Sequence, residues 1–345
     1  MSTQVDDSTG LVSRIVRTVG TPKVYLSLVV LLLSLAIPVT FSSYISHIFI
    51  LVFITGIGAV AWNIIGGFGG QFSLGNAVFY GLGAYSTAIL VTDYGTGVIV
   101  ATAVGVFLSV LAAVIIGFPT FKLSGHYFAL ATIAVVEGLF YLARFFGDLT
   151  GGSQGFTFIA PPWLSSLMLD KVAAFYIFLS FFVLAILISV WVRYSRLGYY
   201  LLAIREDQDA ASALGVNTTR YKIYGFVLSA AMTAFAGSMH AAYTTFLSPG
   251  AAFSLDLSIL YALIALVGGL GTIAGPIVGT LFMVPIQQYV TTVLGGNLGS
   301  LAYVGYGLLL ILVIIYAPEG IVNRLSAVGG WITDVFPEVS PDAED

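Results

Sequence analysis

The residue types that perform most protein chemistry are scarce in this 345-residue chain, and they are not grouped for catalysis. There is no Cys, which excludes disulfides and thiolate metal sites. His47, His126 and His240 lie far apart in the sequence and match no spacing of metal ligands. No nucleophile, base and acid fall on a plausible common face, so the sequence does not favour an enzyme.

The residues around the four lysines indicate whether the chain could bind ATP through a P-loop. None of Lys23, Lys122, Lys171 and Lys222 is preceded by Gly, so the phosphate-binding pattern G-x-x-x-x-G-K-[ST] is absent. We therefore expect this chain to bind no cofactor, and any ATP that drives it must be bound by another polypeptide. The net charge of −4 and the lack of a basic block argue against nucleic acid as a partner.

Charged side chains are concentrated in residues 193–222, which hold five of the twelve basic residues and three of the sixteen acidic residues. The segments on either side, 172–192 and 223–255, contain no Asp, Glu, Lys or Arg. Asn217 or Thr218 can cap the helix that follows the charged stretch. A charged, helix-forming segment between apolar ones needs a functional explanation.

Within this stretch the sequence predicts one amphipathic helix over about 199–214. Arg205 and Asp209 are four residues apart and would share its charged side, and Gly215 would end it in a left-handed conformation. Several Ala residues permit the close approach of another protein. The alternative, a helix lying on lipid, is weakened by the mixed charge, because such helices usually carry a basic polar face. We therefore predict a docking helix.

The elements that must position this segment are membrane spans. Hydrophobic residues make up 59% of the chain and charged residues 8%, and the mean hydropathy is +1.02. Such a chain is typical of an all-α, polytopic membrane protein. We expect about ten transmembrane helices with Gly-rich breaks. They are expected near 24–40, 45–65, 77–92, 97–117, 126–146, 172–192, 222–245, 257–275, 276–294 and 301–317.

Lys and Arg in the short loops predict the orientation, because cytoplasmic loops are enriched in them. Both termini are expected to be cytoplasmic in the cell membrane. The expected organisation is a cytoplasmic tail at 1–23, a transmembrane domain at 24–320 with a cytoplasmic loop at 193–222 and an external loop at 147–171, and a cytoplasmic tail at 321–345.

Two Gly-rich segments, 66–77 and 268–279, share the pattern Gly-Gly-x-Gly, and each separates two closely spaced apolar runs. Non-helical backbone at membrane depth must be buried in protein or line a cavity, and transporters often place such breaks in corresponding halves. The alternative is that Gly-rich turns are simply common in helix bundles. Residues that could line a pathway are Gly66, Gly67, Gly69, Gly70, Gln71, Ser73, Asn76, Gly268, Gly269 and Gly271.

Glu137 is an ionisable residue in the middle of a predicted span, where such groups are costly. Arg144 lies seven residues later and on the same helical face. The two residues could form a polar lining or gate, and Glu137 is therefore a further pathway candidate. The alternative is a Glu satisfied by neighbouring backbone or water.

Residues 209–215 (D-A-A-x-x-x-G) resemble the E-A-A-x-x-x-G motif of importer permeases of the ATP-binding-cassette class, with Asp209 in place of Glu. Further segments resemble the Liv-type permeases for branched-chain amino acids, and together they cover most of 60–320. The resemblance is strongest to the second of the two paired permeases in such systems. The segments that carry it are 66–85, 150–155, 203–241 and 268–279.

The resemblance implies a non-enzymatic transport subunit with several partners: a second homologous permease, two cytosolic P-loop ATPases, an external solute-binding protein and membrane lipid. Residues 203–215, the coupling segment, would fit a groove on an ATPase. Permeases for urea or short-chain amides are closely similar, and a stand-alone channel or ion-coupled carrier is a further alternative. The implied coupling residues are Ala203, Arg205, Glu206, Asp207, Asp209, Ala210, Ala211, Leu214 and Gly215.

Overall fold

The computed structural model describes residues 42–123 and 125–294, together with the single positions 38, 307, 315 and 320–322. Across these residues the chain forms helices joined by short connections, with one two-stranded ribbon. Apart from those single positions, the predicted spans 24–40 and 301–317 and both predicted tails lie outside the described residues.

The helices follow one another with few intervening residues, and α1 continues directly into a π-helical turn, Ile64–Phe68. In chain order they are α1 Ser43–Asn63, α2 Asn76–Thr92, α3 Val98–Thr120, α4 His126–Phe145, α5 Gly147–Thr150, α6 Pro162–Leu169, α7 Lys171–Tyr194, α8 Arg196–Glu206, α9 Gln208–Ala213, α10 Thr218–Thr244, α11 Pro249–Ala252, α12 Leu255–Gly269 and α13 Ala274–Leu294.

Six segments of the described chain are long and apolar enough to cross a membrane. Each of the eight spans predicted within the described ranges corresponds to a helix, and the prediction 126–146 matches His126–Phe145 closely. The prediction 257–275 runs too far, because α12 ends at Gly269. The polytopic helical fold is therefore confirmed. The six segments are Ser43–Phe68, Val98–Thr120, His126–Phe145, Lys171–Tyr194, Thr218–Thr244 and Pro249–Gly269.

The core of the bundle forms around α1. In its most apolar window 78% of the residues are buried, compared with 22% for α4. Phe53 of α1 packs edge-on against Phe175 at 5.1 Å between ring centroids and is stacked with Phe182 at 5.7 Å, which joins α1 to α7. The buried α1 is therefore the central helix of the described bundle.

Helices α2 and α10 approach each other closely enough to bring their backbones into contact. A Cβ on Gly83 would lie 2.0 Å from the carbonyl oxygen of Ala234, and one on Gly237 would lie 2.1 Å from that of Tyr80. The Ser238 hydroxyl donates across this contact to the Gly83 carbonyl at 3.0 Å. Small and hydroxylated residues at a helix contact are typical of membrane proteins, where van der Waals packing and hydrogen bonds drive association.

A two-stranded antiparallel ribbon closes one end of the bundle. β1, Phe156–Thr157, pairs with β2, Phe246–Leu247. The ribbon links the predicted external loop 147–171 to the turn after α10. The loop and the turn therefore lie at the same end of the described bundle. The loop itself is more structured than expected, because it contains α5 and α6.

Candidate functional site

The coupling segment forms two helices, and the prediction of a single helix over 199–214 is wrong. α8 ends at Glu206, and Asp207 has an extended backbone with φ −155° and ψ 112°. The Asp207 carboxylate then caps α9, accepting hydrogen bonds from the backbone N–H groups of Asp209 and Ala210 at 2.9 Å each. Asp is a strong N-capping residue, and this local capping ends one helix and begins the next.

The C-terminal end of α9 agrees with the prediction. Gly215 has φ +87°, the left-handed conformation expected of a helix-ending glycine. The Val216 N–H donates to the Ala211 carbonyl at 3.1 Å, which completes the turn. Asn217 caps α10 by accepting from the Arg220 N–H at 3.1 Å, again as predicted.

One side of α9 is open to solvent. Asp209, Ala210 and Leu214 are exposed, and 86% of Leu214 is accessible, while Ala211 is buried against the protein. A Cβ added to Gly215 would meet no atom within 4 Å. Exposed leucine and alanine beside a carboxylate are suited to a protein contact. Also exposed are the coupling candidates Ala203, Arg205, Glu206 and Asp207.

Lys222 ties α9 to the membrane-spanning helix that follows it. Its side chain is only 2% exposed, and its ammonium group donates to the Gln208 side-chain oxygen. The same ammonium lies 5.9 Å from the ring centroid of Phe121, beyond the end of α3. Tyr200 of α8 stacks on Tyr221 of α10 at 4.1 Å between centroids. These contacts hold both helices of the coupling segment against α10.

Leu201 anchors α8 on its inner side. It is fully buried, and its methyl groups would lie 3.3 Å from a Cβ on Gly69 and 3.2 Å from one on Gly225. The leucine therefore packs directly against the first Gly-rich segment and against α10.

Arg205, at the end of α8, connects the coupling segment to both Gly-rich segments. Its Nη1 donates to the Gly67 carbonyl at 2.8 Å. A Cβ on Gly271 would lie 2.1 Å from the same Nη1, and one on Gly70 would lie 2.9 Å from Arg205 Cγ. The i,i+4 pair expected with Asp209 does not form, because the break at Asp207 redirects the chain and the guanidinium points into the bundle.

Asn63, the last residue of α1, joins the two Gly-rich segments to each other. Its side-chain oxygen accepts from the Gly271 N–H at 3.0 Å, and its side-chain nitrogen donates to the Thr272 carbonyl at 2.9 Å. A Cβ on Gly67 would lie 1.9 Å from this oxygen. The two segments therefore meet at one end of the bundle. Each follows one helix and precedes another, as the shared pattern suggested.

The second Gly-rich segment reverses the chain between α12 and α13. Gly268 contacts Gly275 so closely that a Cβ on Gly268 would lie 1.8 Å from the Gly275 carbonyl oxygen. Gly269 and Gly271 have φ values of +132° and +75°. The Thr272 hydroxyl donates to the Gly269 carbonyl at 2.8 Å and accepts from the Gly275 N–H at 2.9 Å. The segment is thus a tight, hydrogen-bonded turn.

The remaining pathway candidates of the first segment have mixed surroundings. Gly66 faces Trp62, whose ring would lie 2.4 Å from a Cβ on that glycine. Trp62 Nε1 donates to the Ser73 carbonyl at 2.6 Å. Asn76 is buried and donates to Ser229 and Thr233 of α10 at 3.2 and 3.1 Å. These contacts hold the break in place. A cavity of about 420 Å³ beside them is lined by Gly70, Gln71, Phe72 and His126, among others.

We call the contacts among Asn63, Gly67, Arg205 and Gly271 the junction. Glu137 lies apart from the junction, on α4, and is half-buried. It makes no contact with Arg144, whose Nε donates to Ser153 at 3.1 Å and whose guanidinium lies over Phe140. Within the described residues the two side chains form no ion pair with each other, and a pathway role for Glu137 stays a prediction.

Sequence reasoning missed Asn63, Leu201, Gln208 and Lys222 as parts of this junction. Asn63 could have been found, because it is the one amide in the apolar run 45–65. Among the residues described by the structure, no group of three or more His, Cys, Asp or Glu could hold a metal. The arrangement connects an exposed helix to two breaks in the membrane domain.

Comparison with known proteins gives a consistent result. Residues 44–316 match the family described as "Branched-chain amino acid transport system / permease component". The high-affinity branched-chain amino acid permease protein LivM of Escherichia coli K12 is 30% identical over 283 residues, covering 75% of this chain and 65% of LivM. No solved structure matches the chain.

Two further relatives widen the comparison. A probable LivM of Methanocaldococcus jannaschii is 24% identical over 278 residues, covering 74% of this chain and 77% of the relative. The permease protein LivH of Salmonella typhimurium is 32% identical over 143 residues, covering 41% of this chain and 45% of LivH. The chain spans 65% of the length of the Escherichia and Salmonella LivM proteins.

Proposed function

We propose that this chain, which belongs to the family of branched-chain amino acid transport system permease components, is the membrane-spanning permease subunit of an importer driven by separate ATPase subunits. In this role it carries solute by alternating access and performs no catalysis itself. The lack of a P-loop pattern in this sequence supports the proposal that ATP is bound by other subunits.

The proposal rests on Arg205. This residue begins in the exposed coupling segment and ends in the membrane domain, where its guanidinium contacts Gly67 and lies against Gly271. A displacement of α8 and α9 by an ATPase would therefore act directly on both Gly-rich segments. Rigid-body movement of one element against another is a common form of such a transition.

The exposed side of α9 supplies the ATPase contact. Asp209, Ala210 and Leu214 would enter a groove on the ATPase, and Gly215 would allow close approach because no side chain projects from it. Buried contacts would transmit the movement, because Leu201 of α8 packs against α10 and Lys222 of α10 holds Gln208 of α9. A segment held only by flexible connections could not do this.

The solute we propose is a branched-chain amino acid, because the relatives' names specify that class. Delivery by an external solute-binding protein and pairing with a LivH-type permease belong to the same proposal. A urea or short-chain amide importer has no observation here in its favour. Competition of labelled leucine uptake by unlabelled isoleucine but not by urea would support the amino acid assignment, and the reverse would overturn it.

The cytoplasmic side is proposed to be the end that holds the coupling segment. Lys122 and residues 193–222 lie at this end, as the contact between Lys222 and Phe121 requires. The ribbon of β1 and β2 would then lie outside, and the predicted cytoplasmic tails would follow from the number of spans.

Gly215→Asp tests the proposed ATPase contact. We expect ATP-dependent leucine uptake by cells expressing the complete transporter to be lost, because the new carboxylate enters the contact and Asp at φ +87° is strained. A charge reversal, Asp209→Lys, should have the same effect without removing the protein from the membrane.

Gly95→Asp is the matched control, because Gly95 also has a positive φ, +61°, with no atom near its Cβ position, and lies after α2. It should leave uptake unchanged. Normal uptake by Gly215→Asp and Asp209→Lys would contradict the assignment of the coupling segment.

A further inference from the structure

Helix α4 is the least packed of the six candidate spans in the described chain. Only 22% of its most apolar window is buried. Its inner side holds Phe128, Thr132 and Val136, which are buried against the rest of the bundle. Thr132 also receives a hydrogen bond from the Leu74 N–H at 3.0 Å, which attaches α4 to the first Gly-rich segment.

The opposite side of α4 carries an exposed row of residues, which we call the outer stripe. Its spacing of three and four residues places its members on one helical face. Small residues, Ala134 and Gly138, form its centre. The space beside them is open, because a Cβ added to Gly138 would meet no atom within 4 Å. The outer stripe consists of Tyr127, Leu130, Ala134, Gly138, Tyr141 and Phe145.

Glu137 lies beside the centre of this stripe. It is about 16 Å along the helix from His126, near the middle of the span. Within the described part of the chain it forms no hydrogen bond or ion pair. A carboxyl group at this depth is costly in hydrocarbon and normally faces a protein surface or a water-filled cavity.

The neighbouring helix α3 gives the contrast expected of a surface that faces lipid. Its exposed positions carry no ionisable side chain and are dominated by large apolar residues such as Ile99, Phe107 and Ile115. The outer stripe of α4 instead combines aromatic ends with a small centre and an adjoining carboxyl group. Small residues that permit close approach and polar groups that bond across helices are typical of contacts between membrane helices.

We infer that the outer stripe of α4 is the contact surface for the second permease, which places a hydrogen-bond donor or a cation opposite Glu137. This inference rests on the proposed function, in which a second, related permease completes the pathway. A second copy of the same chain does not fit. A two-fold contact centred on this stripe would place two Glu137 carboxyl groups near each other with no cation from the stripe to compensate them.

Photo-crosslinking tests the surface directly. Benzoylphenylalanine would replace Tyr141 in the outer stripe or, as a matched control, the exposed Phe107 on α3. Each variant is co-expressed with the ATPases and a differently tagged LivH-type permease, and the membranes are irradiated. We expect a product containing both permeases from position 141 and none from position 107. A product of two copies of this chain from position 141, or no protein product, would overturn the inference.

Four substitutions, two of them controls, test the packing and the carboxyl group. Gly138→Leu fills the small centre, and we expect at least about a tenfold loss of co-purified second permease. Ala103→Leu, at an exposed position of α3, should retain it. Glu137→Leu should lose the second permease as well, whereas Glu137→Gln should keep most of it, because the amide can still form hydrogen bonds. Equal recovery with all four variants would refute the inference.

The unsubstituted complex separates failure of this inference from failure of the proposed function. If it couples leucine uptake to ATP and all variants assemble normally, the outer stripe is not the interface and the proposed function stands. If no second permease co-purifies with the unsubstituted chain and uptake is independent of ATP, the proposed function fails first.

Discussion

Arg205→Ala offers the sharpest test of how the coupling segment acts on the membrane domain. The substitution removes the hydrogen bond from Nη1 to the Gly67 carbonyl and the packing of the side-chain stem on Gly70. It leaves the exposed surface of α9 unchanged. We therefore expect ATP to be hydrolysed while less of its energy reaches the two Gly-rich segments.

The structure sets the size of the effect. A hydrogen bond to a charged group contributes about 1.5–3 kcal/mol, and the lower value applies because the bond is only partly buried and solvent screens it. About 1.5 kcal/mol corresponds to roughly a tenfold change in an equilibrium constant. We expect the number of leucine molecules transported per ATP hydrolysed to fall by about this factor. Arg205→Lys should be intermediate, because it keeps a donor but lacks the planar fork.

The assay uses the purified complex in proteoliposomes, with leucine uptake and phosphate release measured on the same sample. Arg220→Ala is the matched control. It removes another exposed arginine of the charged stretch 193–222, whose Nε donates to the Tyr224 hydroxyl at 2.7 Å, and it should not change the number of leucine molecules transported per ATP. If Arg205→Ala assembles normally and transports as many molecules per ATP as the unsubstituted complex, Arg205 does not transmit the movement.

Three further substitutions probe the junction. Gly271→Ala should lower uptake and the melting temperature in detergent, because φ is +75° and the new Cβ would lie 2.1 Å from the guanidinium, whereas Gly250→Ala, in open space, should lower neither. Asn63→Ala should destabilise the protein by about 2 kcal/mol, measured by thermal unfolding, because the two hydrogen bonds from the end of α1 to the second Gly-rich segment are lost; an unchanged melting temperature would count against the junction. Lys222→Met should increase hydrogen exchange in α9 while leaving the remainder of α10 protected, and equal protection of α9 would show that this ammonium is not its anchor.

The spans could be predicted closely from the sequence because lipid imposes a strong and simple pattern. Charge-free apolar runs long enough to cross a bilayer place helix boundaries within a few residues, as for the run 172–192, which forms Lys171–Tyr194. The end of α9 at Gly215 and the start of α10 at Asn217 could also be predicted, since both caps depend on adjacent residues. In both cases the determining chemistry is local.

The prediction of one helix over 199–214 was wrong because a second local interaction competes with helix propensity. Helix propensity and i,i+4 spacing favoured continuation, but the Asp207 carboxylate bonds two backbone N–H groups ahead of it and starts a new helix. Asp at an interior position can always compete in this way. Asp207 is visible in the sequence, but the choice between one continuous helix and a new helix depends on how α8 and α9 pack against α10.

The junction itself could not be predicted. Arg205 and Gly67 are separated by 138 residues, and Asn63 and Gly271 by 208. The shared Gly-Gly-x-Gly pattern indicated two breaks but not that they touch. That contact depends on how α1, α12 and α13 pack, which no local pattern determines. The partner of Glu137 is unpredictable for the same reason, since we propose that it lies in another chain.

Leucine accumulation in proteoliposomes tests the central claim most directly. Vesicles would contain either this chain alone or the complex with its second permease and ATPases, and uptake would be driven by ATP and the loaded solute-binding protein. We predict accumulation against a gradient only with the complex and only with ATP that can be hydrolysed. Leucine flux through the chain alone, equal with and without ATP, would contradict the claim and identify a stand-alone channel or carrier.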